Sequence, residues 1–162
     1  SVEGLPNRVA AYEANLVLDL TPENTERGNV DHTVLVSPTI ADAEREFAAV
    51  DAPGYQACTE AAVARDTAPY APDATGPPIV TFRRQTFPGL EHGVVDRLVA
   101  TYPTPDGTNV IHVDFVRMQQ GRAIVRLPVM THNHVMSDAD LSVIINAASA
   151  RLAVAAEQLG DR

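Results

Sequence analysis

Residues 110–130 read VIHVDFVRMQQGRAIVRLPVM and hold the clearest hairpin pattern in the chain. Two runs rich in β-branched and other apolar residues flank Gln119-Gln120-Gly121, and runs of this composition are typical of strands. Three connecting residues that end in glycine suit a hairpin loop with Gly121 in the left-handed conformation. The stretch therefore predicts two antiparallel strands, residues 110–118 and 123–130.

A second hairpin precedes the first, because a β-rich run over residues 94–102 ends shortly before Asp106-Gly107, a dipeptide favoured in two-residue turns. A further β-rich run covers residues 79–87. An antiparallel pair keeps its apolar residues on one face, so the two turns predict a register. The predicted partners are Leu98 with Phe115, Ala100 with Val113, Tyr102 with Ile111, Phe115 with Val125, Val113 with Leu127, and Ile111 with Val129. All are apolar, which predicts one core face.

The strongest helix pattern follows these strands. Ser137 and Asp140 have the spacing of a capping box, and residues 138–159 carry apolar side chains at i, i+3 and i+4. These apolar positions are Leu141, Ile144, Ile145, Ala148, Leu152, Ala155 and Leu159. We expect this helix to lie on the predicted core face, over the Phe115 ring, and to be essential for folding.

The first part of the chain is less regular. Residues 9–20 fit either a strand or a short helix, whereas the β-branched residues 32–36 predict a strand. Thr39 and Asp42 resemble a capping box, so a helix should run from there to about Val50.

A second short helix is predicted from Tyr55 to about Arg65, with Cys58 on its apolar side and therefore buried. Residues 67–78 contain four prolines and a glycine and form an irregular connector. This connector could join two domains, but neither half alone offers a closed core. We expect one α+β domain over residues 1–162, with an antiparallel sheet of four to six strands packed against helices and the long C-terminal helix on one face.

Composition excludes several classes of partner and activity. The 162 residues carry a net charge of −9, which repels a phosphate backbone, so no nucleic-acid partner is expected. The chain has no lysine and neither of the common glycine-rich phosphate loops, which argues against nucleotide hydrolysis. No apolar run approaches the roughly 20 residues of a transmembrane helix, so no membrane-spanning segment is predicted in this chain.

Four polar residues form the main candidate binding face. In the predicted register Asp114 lies opposite Arg126, with Arg97 diagonal to it and His112 two residues along the same strand. A structural ion pair is the simpler interpretation, since cross-strand pairs of opposite charge contribute roughly 0.2–1 kcal/mol. The functional interpretation is the floor of a ligand cleft, with Arg97 or Arg126 binding an acidic group through both guanidinium arms.

Evidence for a metal or an active site is weaker. His132 and His134 place two imidazoles on one side of an extended segment, and His112 or Asp114 could supply a third ligand. Polar residues at a strand exit explain the same pattern. G-x-S-x-G does not occur, and the carboxylates near residue 138 are accounted for by a helix start. No catalytic residue and no cofactor is predicted.

The order of elements, and several short segments within residues 30–160, resemble a known group. The segments are Val34-Leu35-Val36-Ser37-Pro38 leading into residues 41–47, Tyr55-Gln56-Ala57-Cys58, Thr86-Phe87-Pro88-Gly89-Leu90, Val113-Asp114-Phe115-Val116-Arg117 and Gly121-Arg122-Ala123. The chain resembles the secreted or lipid-anchored domains of actinobacterial cell-envelope lipoproteins. That group is related in architecture to the extracellular sensor domains of mycobacterial serine/threonine kinases and to PsbP-like folds. The kinase domains carry paired cysteines, whereas this chain has Cys58 alone.

The resemblance implies an extracytoplasmic location, in the cell envelope or secreted, with any lipid anchor outside this chain. It also implies a non-enzymatic, sensor-like or ligand-binding role, with a small molecule, a lipid or an envelope protein as the partner. The alternative is a small enzyme or metal-binding protein that uses the region of His112, Asp114, His132 and His134.

Overall fold

The computed structural model describes residues 10–19, 27–87, 90 and 92–159. Their core is an antiparallel sheet of six strands in the order β1-β2-β6-β5-β4-β3. The strands are β1 (Ala10–Asp19), β2 (Arg27–Val36), β3 (Ile79–Gln85), β4 (Gly93–Thr104), β5 (Gly107–Gln120) and β6 (Ala123–His132). The helices are α1 (Ile40–Ala48), α2 (Tyr55–Thr67) and α3 (Asp138–Leu159), with 3-10 turns at Ala49–Asp51 and Ala68–Tyr70. The predicted α+β class, strand number and helix position are confirmed.

Helices cover both faces of the sheet. α3 lies on the face that we call the α3 face, whereas α1 and α2 lie on the opposite α1–α2 face. The α3 face is built on Val95, Val116, Met118, Val125, Leu127 and Val129, which pack with Leu141, Ile145 and Leu152. The α1–α2 face contains Leu98, Ala100, Tyr102, Ile111 and Val113, which pack with Val63, and Leu35 and Ile124, which pack with Ala43.

The turn between β5 and β6 differs from the predicted three-residue loop. Gln120 pairs with Ala123, so Gly121 and Arg122 alone form the turn, and Gly121 has φ of 55°. Glycine at the first of two turn residues is the type II′ pattern, whose twist matches that of the flanking strands. The polar residues before Gly121 therefore extend β5 instead of leaving the sheet.

This tighter turn makes the predicted β5–β6 register wrong by three positions. The observed pairs are Phe115 with Pro128, Val113 with Met130 and Ile111 with His132. Because side chains alternate along a strand, a shift by an odd number moves β6 to the other face relative to β5. Phe115 therefore lies half-buried on the α1–α2 face. The prediction that its ring lies beneath α3 was wrong.

The β4–β5 register is also wrong, by two positions. Thr104 pairs with Gly107, so the turn is Pro105-Asp106 and not Asp106-Gly107. The observed pairs are Leu98 with Val113, Ala100 with Ile111 and Tyr102 with Asn109. An even shift keeps each residue on its face, so these apolar side chains still share one core.

The terminal helix is confirmed over its predicted range, Asp138–Leu159. Asp140 N donates to Ser137 Oγ at 3.1 Å, which caps the first turn. The residues that pack on the α3 face are Leu141, Ile144, Ile145, Ala148, Leu152 and Leu159. By length and composition alone α3 could also span a membrane, with hydropathy 1.4 over its most apolar window. The expectation of no membrane span stays a prediction.

Elements in the first part of the chain are longer than predicted. The segment left open is a strand, β1, and β2 begins at Arg27 rather than at residue 32. Asp42 N donates to Thr39 Oγ1 at 3.1 Å, which confirms the predicted start of α1. The connector predicted over residues 67–78 is irregular only from residue 71, because α2 continues to Thr67 and Ala68–Tyr70 form a 3-10 turn.

Cys58 is exposed, so the prediction of a buried thiol was wrong. The buried stripe of α2 is Thr59, Val63 and Thr67, at i and i+4 spacing. Threonine tolerates burial here because its hydroxyl donates to the preceding turn, as in the 2.6 Å bond from Thr67 Oγ1 to Val63 O. Because this stripe faces the sheet, Cys58 lies on the solvent side of α2.

Candidate functional site

Three of the four predicted binding residues share one face, and the fourth does not. Arg97, His112 and Asp114 lie on the α3 face, where Arg97 is directly opposite Asp114. Arg126 lies on the α1–α2 face, opposite Arg117. The predicted cross-strand pair of Asp114 with Arg126 was therefore wrong, because it depended on the register that is shifted by three positions.

Arg97 and Asp114 form a buried ion pair. Arg97 Nε donates to Asp114 Oδ1 at 2.6 Å, and the Asp114 side chain is 3% exposed. Burial raises the pKa of Asp114, although the hydrogen bond from Arg97 opposes this change. Arg97 Nη1 also donates to Asp138 at 3.1 Å, at the start of α3. The guanidinium therefore fastens α3 to the sheet.

Arg126 is also engaged inside the protein. Arg126 Nη2 donates to Glu46 Oε1 at 2.8 Å, and Glu46 is buried on α1. A buried carboxylate needs such a partner, because the charged form is costly to remove from water. Arg126 therefore joins α1 to β6.

The histidines do not form one site. His112 lies on the α3 face, and His134 is close enough to contribute to lowering the His112 pKa, although burial is the main cause. His132 lies on the α1–α2 face, with its ring edge-on to Tyr70 at 5.4 Å. Among the described residues no group of three or more His, Cys, Asp or Glu side chains could hold a metal ion.

We expect the domain to lose stability as the pH falls below about 6.5. Burial lowers the pKa of His32, His112 and His132 from the usual value of 6.5. Above that pH the imidazoles are neutral in both states; below it the unfolded chain binds protons that the folded chain resists, which favours unfolding. The raised pKa of Asp114 acts in the opposite sense, because the folded state then holds a proton that the unfolded state releases.

Thermal melts at pH 7.5 and pH 5.5 check this expectation. The parent should melt at a lower temperature at pH 5.5, and His112→Gln should reduce the difference. His92→Gln supplies a control with the same substitution at an exposed histidine. An equal or higher melting temperature at pH 5.5 would show that the half-buried imidazoles do not govern acid stability.

A polar network that sequence reasoning missed lies beside the ion pair that joins β4 to β5, but on the opposite, α1–α2 face of β4. Asp96 is 0% exposed and accepts hydrogen bonds from Tyr55 Oη at 2.8 Å and from Arg84 Nε at 2.7 Å. Arg84 Nη1 also donates to Asp51 at 2.7 Å, and the Arg117 guanidinium lies 4.9 Å from the Tyr55 ring centre. The network joins α2 and the preceding turn to β3 and β4, so its role is structural.

A cleft lies where β3 ends and α3 begins. Its volume is about 580 Å³, and we call it the Arg83 cleft. It is lined by Arg83, Arg84, Gln85, Thr86, Phe87, Asp138, Ala139 and Ser142. Other clefts among the described residues include one of about 550 Å³ beside the β5–β6 turn and one of about 240 Å³ between α2 and the sheet.

Comparison of the chain with known protein families, with curated proteins and with solved structures gave no match. Its function is therefore inferred from side-chain geometry.

The charge pattern of the Arg83 cleft is uneven. Arg83 lies directly opposite Arg97 in the β3–β4 ladder, so both guanidinium groups are on the α3 face. Arg97 is matched by Asp114 and Asp138, whereas Arg83 has no ion pair with any residue that the structure describes. Asp138 also lines the cleft, but its carboxylate is bonded to Arg97. Arg83 is thus the guanidinium available to a ligand.

Sequence reasoning missed this cleft because its second wall comes from a distant part of the chain. The adjacent arginines at 83 and 84 were visible, but the sequence did not show that the start of α3 packs beside the end of β3.

Proposed function

We propose that the chain is a non-enzymatic ligand-binding domain, and that its Arg83 cleft binds a ligand with an acidic group. The observation that carries the proposal is an arginine at the wall of a cleft of about 580 Å³, without an ion pair among the described residues. Most other arginines for which contacts are described bond a carboxylate or a carbonyl group, as Arg84, Arg97 and Arg126 do.

The chemistry of the cleft suits a carboxylate or phosphate ester. A guanidinium presents several N–H donors in a planar fork that matches both groups. Gln85 and Ser142 add polar atoms to the wall, and Phe87 adds an aromatic surface for the remainder of the ligand.

The alternative of a small enzyme or metal-binding protein requires His112, Asp114, His132 and His134 around one point. The sheet separates His132 from His112 and Asp114, and Asp114 is already bonded to Arg97. These positions therefore favour binding over catalysis.

We also propose that the domain works outside the cytoplasm, in the cell envelope or secreted, with a small molecule, a lipid or an envelope protein as its partner. The support is the resemblance to actinobacterial envelope lipoproteins. Protease treatment of intact host cells that express the full natural gene tests the location, since a cytoplasmic protein would be protected.

Arg83→Gln should weaken binding of phenyl phosphate about tenfold. Hydrogen bonds to charged groups contribute about 1.5–3 kcal/mol, and 1.4 kcal/mol corresponds to a factor of ten in Kd. Isothermal titration calorimetry at low salt measures the change. Asp138→Asn should tighten binding, because it removes the negative charge from the cleft wall.

Arg45→Gln supplies the matched control, since Arg45 lies on α1 and bonds Asp42 outside the cleft. This variant makes the same charge change and should bind phenyl phosphate like the parent. 2-Phenylethanol, which lacks the charge, should bind weakly to all variants. Equal loss of affinity in both arginine variants, or no binding to the parent, would contradict the proposal. The charge of Arg83 would then be explained by its place on an edge strand, where it disfavours aggregation.

A further inference from the structure

We infer that the acidic ligand of the Arg83 cleft is an extended peptide segment that pairs with β3 as an additional strand. This inference rests on the proposed function and names the ligand class. β3 is at one end of the strand order, and among the described residues it pairs with β4 alone. An edge strand leaves every second residue's N–H and C=O groups pointing away from the sheet, ready to pair with another chain.

The shape of the cleft fits an extended chain. Residues 83–87, five consecutive positions, form one wall, and the first turns of α3 form the other through Asp138, Ala139 and Ser142. A groove between an edge strand and a helix accepts a peptide by strand addition, with main-chain bonds to the strand and alternate side chains directed toward the helix. The wall is therefore a stretch of backbone and not only a set of side chains.

The positive charge of Arg83 favours a peptide with acidic residues. Arg83 shares the α3 face with Arg97, so side chains of an added strand on that face would approach the Arg83 guanidinium. Arg84 points to the α1–α2 face, where Asp96 and Asp51 already bond it. Acidic residues should accordingly occupy alternate positions of the peptide, on the α3 face.

A second copy of this chain is a poor occupant of the same edge. In a register centred on these two positions, its own β3 would bring Arg83 and Arg84 of one copy against the same arginines of the other, and like charges directly across a ladder are destabilising. Prolines at 77 and 78 also limit extension of the edge toward the N-terminus, because proline cannot donate to a ladder.

The test uses four versions of the acetylated and amidated peptide Thr-Val-Glu-Val-Glu-Val-Thr. In the second version glutamine replaces both glutamates; the third and fourth are N-methylated at alternate residues, one version at the odd positions and the other at the even. Isothermal titration calorimetry measures binding to the parent and to Arg83→Gln, and phenyl phosphate serves as competitor. Sedimentation of the parent alone over a range of concentrations reports self-association.

We expect the glutamate peptide to bind and phenyl phosphate to displace it. One of the two methylated peptides should bind at least tenfold more weakly while the other binds normally, because only one set of N–H groups faces β3. Arg83→Gln should remove the preference for glutamate over glutamine.

Other outcomes separate the two proposals. Phenyl phosphate binding without peptide binding, or equal binding of all methylated forms, would overturn strand addition and leave the anion site standing. Failure of both probes would overturn the function as well. Dimers that form through β3 would replace the peptide by a second copy and overturn this inference.

Discussion

A chain that ends at Ser137 should lose cooperative unfolding altogether. The truncation removes Leu141, Ile145 and Leu152, which are all buried against the sheet. Burial of a Leu or Ile side chain contributes about 1.5–3 kcal/mol, so three of them together approach the whole net stability of a domain, about 5–15 kcal/mol. The truncation also exposes the apolar α3 face and removes Asp138, one partner of Arg97.

Circular dichroism and thermal melting measure this effect, and two point variants make it quantitative. Leu141 is 0% exposed, so Leu141→Ala should lower the free energy of unfolding by about 2–5 kcal/mol. Val143 on the same helix is 68% exposed, so Val143→Ala should change it by about 0.5 kcal/mol or less. A truncated chain that still melts cooperatively near the parent temperature would show that α3 is peripheral.

The second large effect concerns Asp96, where we expect Asp96→Ala to lower the free energy of unfolding by about 1–3 kcal/mol, the usual cost of removing a buried hydrogen-bond acceptor from its donors. The variant leaves the Tyr55 hydroxyl and the Arg84 Nε without their acceptor. Asp96 itself is fully buried, but the Arg84 side chain is 34% exposed, so water replaces part of the lost bonds and keeps the cost below that of a fully buried pair.

Asp51 is the matched control, because it bonds the same guanidinium of Arg84 but its side chain is 73% exposed. Asp51→Ala should cost about 1 kcal/mol or less, since water replaces an exposed carboxylate. Urea unfolding of the two variants and the parent measures both values. Equal losses for the two variants would mean that burial of Asp96 does not set the strength of this network.

Local patterns predicted the elements well because their causes are local. The cap at Ser137 and the apolar spacing after it give the full extent of α3 without knowledge of the sheet. The same holds for the start of α1, where Thr39 bonds the Asp42 amide. Capping and periodicity act within a few residues, so the sequence displays them directly.

The β5–β6 register was mispredicted because both faces of the sheet are covered. When one face is in water, a shift by one or three residues places apolar side chains in solvent and is strongly disfavoured. Here α3 covers one face and α1 with α2 cover the other, so Phe115 and Val125 are both accommodated although they lie on opposite faces. Apolar pairing then no longer selects the register.

The candidate site was only partly predictable for the same reason. Arg97 and Asp114 do interact, but as a direct pair across β4 and β5. Arg126 instead bonds Glu46 on α1, and the sequence alone did not predict that α1 lies near β6. Asp96 gave a usable signal, since a carboxylate within the apolar strand residues 94–100 must have a partner. The Arg83 cleft gave none, because it requires the tertiary position of α3.

The most direct measurement of the central claim is an amide chemical-shift map of the labelled domain during titration with phenyl phosphate. The account predicts that the largest changes fall in residues 83–87 and in the first turn of α3 near Ala139, and that they shrink in Arg83→Gln. Largest changes beside the β5–β6 turn, between α2 and the sheet or elsewhere outside the Arg83 cleft, or changes that persist unaltered in Arg83→Gln, would contradict it.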